Sequence, residues 1–156
     1  MDYIKTIRSL VGHYPLILIS AMVLIINDKN ELLFQERMST GAWHLPGGFM
    51  EPGEKIEATA IREAKEETGL DVHDLSLFGV FSGPEFHWTY PNGDEVYNVT
   101  VAFICRNFTG ELSADGEEGK SVKFISLNGI PDKLGPPAKP VLEQFLQSSF
   151  SKGLSL

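Results

Sequence analysis

The 156-residue sequence predicts one domain of the α+β or mixed α/β class, spanning 1–156. Three observations support this prediction. Short aliphatic segments recur along the chain between turn signals, which is typical of strands. One longer segment, Lys55 to Thr68, has the spacing of an amphipathic helix. Helical patterns also occur near both ends, so we expect helices to flank a sheet.

The N-terminal part predicts a helical extension over 1–15 and then strands. Apolar residues at three- and four-residue spacing predict a helix over 3–12, which Pro15 ends. The aliphatic run Leu16–Ile26 predicts a strand that is buried on both faces. A turn of Asn, Asp and Lys residues follows, and the chain returns as a second strand over Glu31–Arg37.

Beyond residue 37, glycine and proline predict a loop over 38–54, and Gly69 is placed to cap the central helix in a left-handed conformation. Pro91–Asp94 is a strong turn signal. A C-terminal helix is expected within 138–150. The remaining predicted elements are the strands Val72–Phe81, Glu95–Arg106, Phe108–Leu112 and Val122–Leu127, an irregular segment over 129–140, and a helix over Val141–Phe150.

Composition limits the function. The net charge is −8 and no Lys/Arg cluster occurs, so we expect no DNA partner, because DNA-binding domains carry a basic face. Small phosphate substrates remain compatible, since a bound cation can invert the local sign. Cys105 is the only cysteine, which fits a reducing compartment. Leu16–Ile26 is too short to cross a bilayer and no cleavage site follows it, so we expect a cytoplasmic protein without membrane contact.

The central helix carries an unusual concentration of acidic residues. Each helical residue advances by about 100°, so Glu63, Glu66 and Glu67 should share one face. The same reasoning places Ala58, Ile61 and Ala64 on the opposite face, toward the core. Neighbouring carboxylates repel one another, which destabilises the helix unless something compensates.

Two groups can compensate for this repulsion. Arg62 stands four residues before Glu66 and can pair with it. A hard divalent cation such as Mg²⁺ would neutralise more of the charge, because it prefers oxygen ligands and is typically shared with substrate phosphates. Gly47 and Gly48 would let the backbone approach a ligand closely, and Glu54 lies near the helix start, where the dipole favours a carboxylate. The competing interpretation is a solvated acidic helix after a glycine-rich turn.

The segment Gly48–Leu70 resembles the Nudix box, G-x5-E-x7-R-E-U-x-E-E-x-G-U, in which U is apolar, and Ala64 is a small residue at one U position. The preceding segments Gly41–Gly48 and Leu32–Arg37 are also similar to the family, so the resemblance covers at least 17–127. It implies a Nudix α/β/α sandwich, a mixed β-sheet between helices. The implied reaction is hydrolysis of a nucleoside diphosphate linked to another group, with Mg²⁺ as cofactor and Mn²⁺ as a substitute.

The resemblance also implies roles for individual residues. Glu63 and Glu67 match the principal metal ligands, and Glu66 matches a ligand or general base. Arg62 matches the residue that orients the glutamates, and Glu54 matches an outer member of the metal cluster. The carbonyl of Gly47 or Gly48 is a lesser candidate ligand, and we favour Gly48.

A late loop can supply one more glutamate, as ligand or base. Residues 113–120 occupy the fitting place, and Glu118 is preferred to Glu117; the alternative is an ordinary acidic surface loop. Substrate contacts are expected outside the box. Aromatic and polar side chains concentrate in 82–97, where an aromatic ring could stack on a base. The candidates are Arg37, Glu85, Trp88 and Tyr90, with Phe86 as a further stacking platform; two histidines, His44 and His87, are weaker candidates.

Three functions remain open at this stage. The first is an enzyme acting on a small nucleotide-like phosphoanhydride, such as a nucleotide sugar, a CDP-alcohol or a nucleoside triphosphate. The second is an RNA 5′-end pyrophosphohydrolase, which the missing basic patch disfavours. The third is a non-catalytic nucleotide sensor, which the complete glutamate set disfavours. The N-terminal helix and strand could also serve a homodimer.

Overall fold

The computed structural model describes residues 2–152; residue 1 and residues 153–156, which are the ends of the predicted domain, lie outside the described residues. The predicted N-terminal helix begins at Tyr3 and ends at Val11, with the Asp2 side chain accepting a hydrogen bond from the backbone N–H of Lys5 as its N-cap. Across the described part of the chain, no helix is long and apolar enough to span a bilayer. The helices are α1 (Tyr3–Val11), α2 (Ile56–Thr68), α3 (Ala138–Gln147) and α4 (Ser149–Lys152).

The strands form a mixed sheet and two smaller ones. In the larger sheet the order is β4-β1-β8-β6, with β7 also pairing with β8; β1 and β8 run parallel, and the other pairs are antiparallel. A second sheet has the order β10-β2-β3, and β5 pairs with β9. The strands are β1 (Leu16–Ile25), β2 (Glu31–Arg37), β3 (Trp43–His44), β4 (Gly47–Phe49), β5 (Asp71–His73), β6 (Ser76–Phe81), β7 (His87–Thr89), β8 (Glu95–Cys105), β9 (Asn107–Thr109) and β10 (Gly119–Ser126).

Helices cover both faces of the larger sheet, which confirms the expected mixed sheet between helices. Alternate residues of β1 face opposite sides. Met22 and Leu24 lie in a core cluster with Val141 and Phe145 of α3. Ala21, Val23 and Ile25 lie in a second cluster, together with two alanines of α2, Ala60 and Ala64. β1 is therefore buried on both faces from Ser20 to Ile25, as predicted, whereas Ile17 and Ile19 near its start are exposed.

The predicted strand Val72–Phe81 is wrong as one element. The chain forms β5 and β6, which belong to different sheets, and Asp74 between them has a positive φ of 52°. That left-handed backbone breaks the extended conformation and redirects the chain. The predicted loop over 38–54 also contains two short strands, β3 and β4.

The core face of α2 differs from the prediction. Ala64 is buried as expected, but Ile61 is 43% exposed and Ala58 is exposed. Thr59, Ala60 and Ala64 are buried instead. The small alanines at i and i+4 allow the helix to approach β1 closely, so the larger Ile61 lies at the rim. At the C-terminus, the helix predicted over Val141–Phe150 begins at Ala138 and ends at Gln147.

Candidate active site

Two glycines bring β4 against both the sheet and α2. Gly47 and Gly48 pair with Met22 and Ala21 of β1. A Cβ at Gly47 would overlap the carbonyl of Ala21, and a Cβ at Gly48 would overlap the carboxylate of Glu63. Space therefore requires glycine at Gly47, where the overlap is with backbone, whereas a side chain at Gly48 would have to displace the Glu63 carboxylate.

Glu67 is the most buried of the helical carboxylates, at 6% exposure. Among the described residues, its hydrogen bond comes from the backbone N–H of Gly47, at 2.8 Å. Burial raises the pKa of Glu67 to about 8; the Gly47 bond opposes this shift, and the neighbouring charges of Glu63 and Glu118 add to it. A carboxylate in this environment needs either a proton or a nearby cation.

Arg62 gathers the other carboxylates of the motif. Its Nε lies 2.7 Å from Glu54, and its Nη1 lies 2.7 Å from Glu63 and 3.4 Å from Glu66. Its Nη2 donates to Glu54 and to the carbonyl of Phe49, both at 3.1 Å. The pairing with Glu66, expected from the i, i+4 spacing, is thus the longest of these contacts. Arg62 chiefly ties Glu54 and Glu63 to β4.

Glu54 is held in its ionised form. Its carboxylate receives Arg62 at two oxygens, the Thr59 hydroxyl at 2.8 Å and the Glu51 backbone N–H at 2.9 Å. The hydrogen bond from Arg62 is the main cause that lowers the pKa of Glu54 to about 2. Glu54 therefore anchors the guanidinium of Arg62.

The three glutamates of the predicted acidic face share one side of α2, but their surroundings differ. Glu67 is buried, the Glu63 side chain is 15% exposed, and the Glu66 side chain is 58% exposed. Burial raises the pKa of Glu63, Arg62 lowers it, and the charges of Glu66 and Glu118 raise it further. The cluster therefore grades from a buried to a solvent-exposed carboxylate.

The loop before β10 brings Glu118, rather than Glu117, to this cluster. Asp115 accepts the backbone N–H groups of Glu117, Glu118 and Gly119 at 2.8–3.0 Å, which fixes the loop. Glu118 pairs with Arg37 at 3.1 Å, and its charge acts on Glu63 and Glu67. The predicted residues Arg37 and Glu118 thus lie beside the helical carboxylates.

The donor set fits a hard divalent cation. Within residues 2–152 no three His, Cys, Asp or Glu side chains already converge on one point, because Glu54 and Glu63 turn to Arg62 and Glu67 turns to Gly47. Carboxylate oxygens are nevertheless the ligands that Mg²⁺ prefers. The observation that favours a cation is Glu67, which is buried beside two further carboxylates and has one hydrogen bond to offset the desolvation.

The expected substrate residues separate into two groups. Tyr90 lines a cavity between α1 and the larger sheet, whereas Glu85 and Trp88 do not line it. Phe86, considered as a stacking platform, is 4% exposed and belongs to the core. The two histidines, which were the weaker candidates, have structural surroundings. His87 pairs with Glu95 at 2.8 Å, and burial lowers the pKa of His44 to about 4.

The segment 82–97, where substrate contacts were expected, supplies Tyr90 and four more lining residues, but sequence reasoning missed the cavity residues outside this segment. Phe49 lies inside the acidic motif, directly after Gly48, and its position between two assigned residues was the available signal. Ile4 and Arg8 lie on the N-terminal helix, where no local pattern indicates a ligand.

Comparison with known proteins identifies the family. A model of the NUDIX domain matches residues 17–145. An ADP-ribose pyrophosphatase from Methanocaldococcus jannaschii is 36% identical over 126 residues, covering 79% of this chain and 70% of that protein. The NAD-capped RNA hydrolase NudC from Vibrio atlanticus is 34% identical over 134 residues, covering 84% of this chain but only 46% of that protein.

Solved structures of Nudix proteins also have a similar fold. The crystal structure of a MutT NUDIX hydrolase from Burkholderia pseudomallei has a TM-score of 0.71 and 23% identity, covering 83% of this chain and 98% of that chain. Because the family match extends over most of the sequence and includes the complete acidic motif, the chain belongs to the Nudix family of hydrolases.

Proposed function

We propose that this protein hydrolyses a pyrophosphate bond in a nucleoside diphosphate linked to another group, in a reaction that depends on Mg²⁺, with Mn²⁺ as a substitute. The observation that carries the proposal is the position of Glu67. This buried carboxyl group stands against the glycine backbone of β4 and beside Glu63 and Glu118, which suits it to hold a cation rather than to serve as surface charge.

The metal ligands in this proposal are Glu63 and Glu67, with the carbonyl of Gly48 and the exposed Glu66 completing the set and Glu54 at its outer edge. Bound Mg²⁺ would supply a water of lowered pKa and neutralise charge on the phosphate oxygens. Arg62 holds Glu63 close to β4 through its contacts at 2.7 Å and 3.1 Å, so that Glu63 is oriented before any ligand arrives.

Proton removal from the attacking water is assigned to Glu118 or Glu66. Both side chains are largely exposed, at 68% and 58%, so either can reach a substrate that lies over the cluster. Glu118 is preferred because Arg37 holds it beside the more buried glutamates. In the same proposal Arg37 contacts a substrate phosphate, because its guanidinium suits phosphate oxygens.

The substrate class is proposed from the relatives. One is named an ADP-ribose pyrophosphatase and another an NAD-capped RNA hydrolase, and both substrates contain a nucleoside diphosphate linked to a further group. We therefore expect turnover of ADP-ribose or a related nucleotide. A phosphate-release screen across nucleotide sugars, dinucleotides, CDP-alcohols and nucleoside triphosphates, with Mg²⁺ and with EDTA, tests this directly. Failure to cleave any of them with Mg²⁺ contradicts the proposed function.

Glu67→Gln is the sharpest test of the metal assignment. Glutamine has the shape of the protonated side chain and can keep the Gly47 hydrogen bond, so the fold should persist. Loss of a ligating oxygen should lower kcat by at least about 100-fold. Glu57→Gln, an exposed residue of the same helix, is the matched control and should retain full activity. Near-normal turnover of the Glu67 variant at saturating Mg²⁺ would show that the ligand assignment is wrong.

Hydrolysis at an RNA 5′ end is the second candidate, because of the similarity to a NAD-capped RNA hydrolase. The net charge of −8 opposes it, since a long RNA needs phosphate contacts from basic side chains. Comparing turnover of NAD with turnover of a 5′-NAD-capped oligonucleotide decides between the two. A non-catalytic sensor would instead bind its nucleotide unchanged, which isothermal titration with product analysis detects.

The expected homodimer and the cytoplasmic location stay predictions. Near the start of β1, Ile17 and Ile19 are 76% and 47% exposed. They form apolar surface that a dimer contact could use. Sedimentation of the wild type and of Ile17→Glu would show a concentration-dependent dimer that the variant weakens. The buried thiol of Cys105 is compatible with a reducing compartment.

A further inference from the structure

A cavity of about 390 Å³ lies between α1, the turn at 90–94 and the end of the larger sheet. Its size falls in the range of ligand pockets, roughly 300–1,000 Å³. One of its walls, α1, lies outside the segment 17–145 that matches the model of the NUDIX domain. The lining residues are Ile4, Arg8, Leu18, Phe49, Tyr90, Pro91, Asn92, Asp94 and Val96.

The wall formed by α1 is firmly attached. Arg8 has an 11% exposed side chain and donates to the backbone carbonyls of Gly12, Tyr14 and Glu95 at 2.7–3.0 Å. His13, just beyond the helix, lies 2.7 Å from the carboxylate of Asp94. These contacts tie the helix to the turn and to the start of β8, so the cavity is a built feature and not a gap beside a loose terminus.

The charged and amide side chains that line the cavity already have hydrogen-bond partners. Asp94 receives His13 and, at 3.1 Å, the side-chain amide of Asn92, whose oxygen accepts the backbone N–H of Asp94. The Nη1 and Nη2 groups of Arg8 donate hydrogen bonds to backbone carbonyls. The remaining surface is aliphatic from Ile4, Leu18 and Val96 and aromatic from Phe49 and Tyr90.

This lining selects a class of ligand. A sugar or polyol would bring many hydroxyl groups to a surface with few free partners, and each hydroxyl left without a hydrogen bond would weaken binding. A flat ring with apolar faces loses little there and gains contact with the aromatic side chains. The cavity therefore favours an aromatic base over a carbohydrate.

The cavity adjoins the carboxylate cluster. Phe49 follows Gly48, whose backbone lies against Glu63, and the carbonyl of Phe49 accepts a hydrogen bond from Arg62 at 3.1 Å. By strand alternation the Phe49 side chain faces the opposite side of β4 from the one that meets Glu63, so the cavity and the cluster lie on either side of this edge strand. Tyr90 is 40% exposed, and the charges of Arg37 and Glu118 act on its phenol. A ligand that is seated in the cavity would therefore have to pass its next group around the edge strand β4 to reach the glutamates.

We propose that this cavity binds the nucleobase of the substrate, with α1 acting as a specificity wall supplied by this chain and Phe49 and Tyr90 contacting the base. The inference rests on the proposed function and deepens it: the group recognised is the base, and the sugar or alcohol beyond the diphosphate is left outside. Substrates that share a base should therefore be accepted together.

Ile4→Trp tests the proposal by filling the cavity from its outer wall. Leu10→Trp, on the same helix but 78% exposed and outside the lining, is the matched control. Binding of AMP, GMP, CMP, UMP and base-free ribose 5-phosphate is measured by NMR titration in EDTA, so that the readout does not require hydrolysis. The best nucleoside monophosphate should bind at least about tenfold more tightly than ribose 5-phosphate and should shift the resonances of α1 and the 90–94 turn.

In Ile4→Trp that affinity should fall at least about tenfold, while Leu10→Trp should bind as the wild type does. Equal affinity for ribose 5-phosphate and for every nucleoside monophosphate would overturn the proposal, as would unchanged binding by a folded Ile4→Trp protein. Either result leaves the proposed hydrolase function standing if the wild type still cleaves nucleotides with Mg²⁺. Absent turnover with intact base-selective binding would instead refute the hydrolase function alone.

Discussion

Replacing Arg62 by lysine tests whether the arginine fork, rather than its charge, holds the site together. The guanidinium of Arg62 contacts Glu54 at two oxygens and also reaches Glu63, Glu66 and the carbonyl of Phe49. A lysine ammonium is a single point charge and cannot keep a two-pronged contact with Glu54 while it also contacts Glu63. The variant therefore keeps the net charge and loses the geometry.

The size of the effect follows from the contacts. A hydrogen bond to a charged group contributes about 1.5–3 kcal/mol, and lysine should lose about two of them. The side chains of Arg62, Glu54 and Glu63 are 31%, 20% and 15% exposed, so solvent screens part of this contribution. We expect Arg62→Lys to lower the free energy of unfolding by about 2 kcal/mol, or the melting temperature by about 4–8 °C.

The measurement is urea and thermal unfolding at neutral pH in EDTA, so that no cation contributes. Lys65→Met is the matched control on the same helix. Its ion pair with Asp71 has the same 2.7 Å distance as the Arg62 contacts, but both side chains are about half exposed. Its loss should cost less than about 0.5 kcal/mol, because exposed pairs contribute little. Equal destabilisation by the two variants, or none by Arg62→Lys, would refute the reasoning from burial and fork geometry.

Three further predictions address other parts of the site. Gly48→Ala should displace the Glu63 carboxylate and weaken Mn²⁺ binding, measured by titration calorimetry, by about tenfold or more, whereas Gly129→Ala, where a Cβ meets only an ordinary contact, should not. Glu118→Gln should lower kcat by about 10²–10⁴-fold if Glu118 is the general base, with little loss of stability; Glu117→Gln should be silent, and the reverse order would reassign the base. Burial lowers the pKa of His44 to about 4 in the folded state, below its usual 6.5, so the unfolded chain binds the proton first as pH falls. The free energy of unfolding therefore has its full value above pH 6.5, where His44 is neutral in both states. It falls by up to about 3 kcal/mol as the pH decreases from about 6.5 to 4. His44→Gln should remove that part of the pH dependence of urea unfolding. The control His73→Gln, at an exposed histidine, should leave it unchanged.

The sequence predicted the acidic face of α2 because helical periodicity and charge act over a few residues. It did not predict which side chains would pack beneath the helix. Ile61 is more hydrophobic than Ala60, yet Ala60 is buried and Ile61 is 43% exposed. The close approach of α2 to β1 selects small residues, and that approach depends on the sheet rather than on the helix sequence.

Backbone pairing set other limits. Strands β3 and β4 contain two and three residues, too few for any alternation of side chains to reveal them. The break between β5 and β6 depends on a left-handed backbone at Asp74. No glycine or proline between these two strands indicates the break in the sequence. The cavity beneath α1 could not be predicted, because its walls come from α1, from β1 and β4, and from the 90–94 turn, which meet only in the folded chain.

The contacts of Arg62 do not neutralise every carboxylate of the cluster. Glu54 and Glu63 receive the best contacts of Arg62, while Glu66 receives a longer one at 3.4 Å. The remaining guanidinium of the site, Arg37, pairs with Glu118. Glu67 is left with a backbone N–H, and burial raises its pKa to about 8. The carboxyl group whose ionised form has the least support therefore lies where α2 meets the glycine backbone of β4, and a divalent cation placed there would stabilise that ionised form where neither arginine pairs with it.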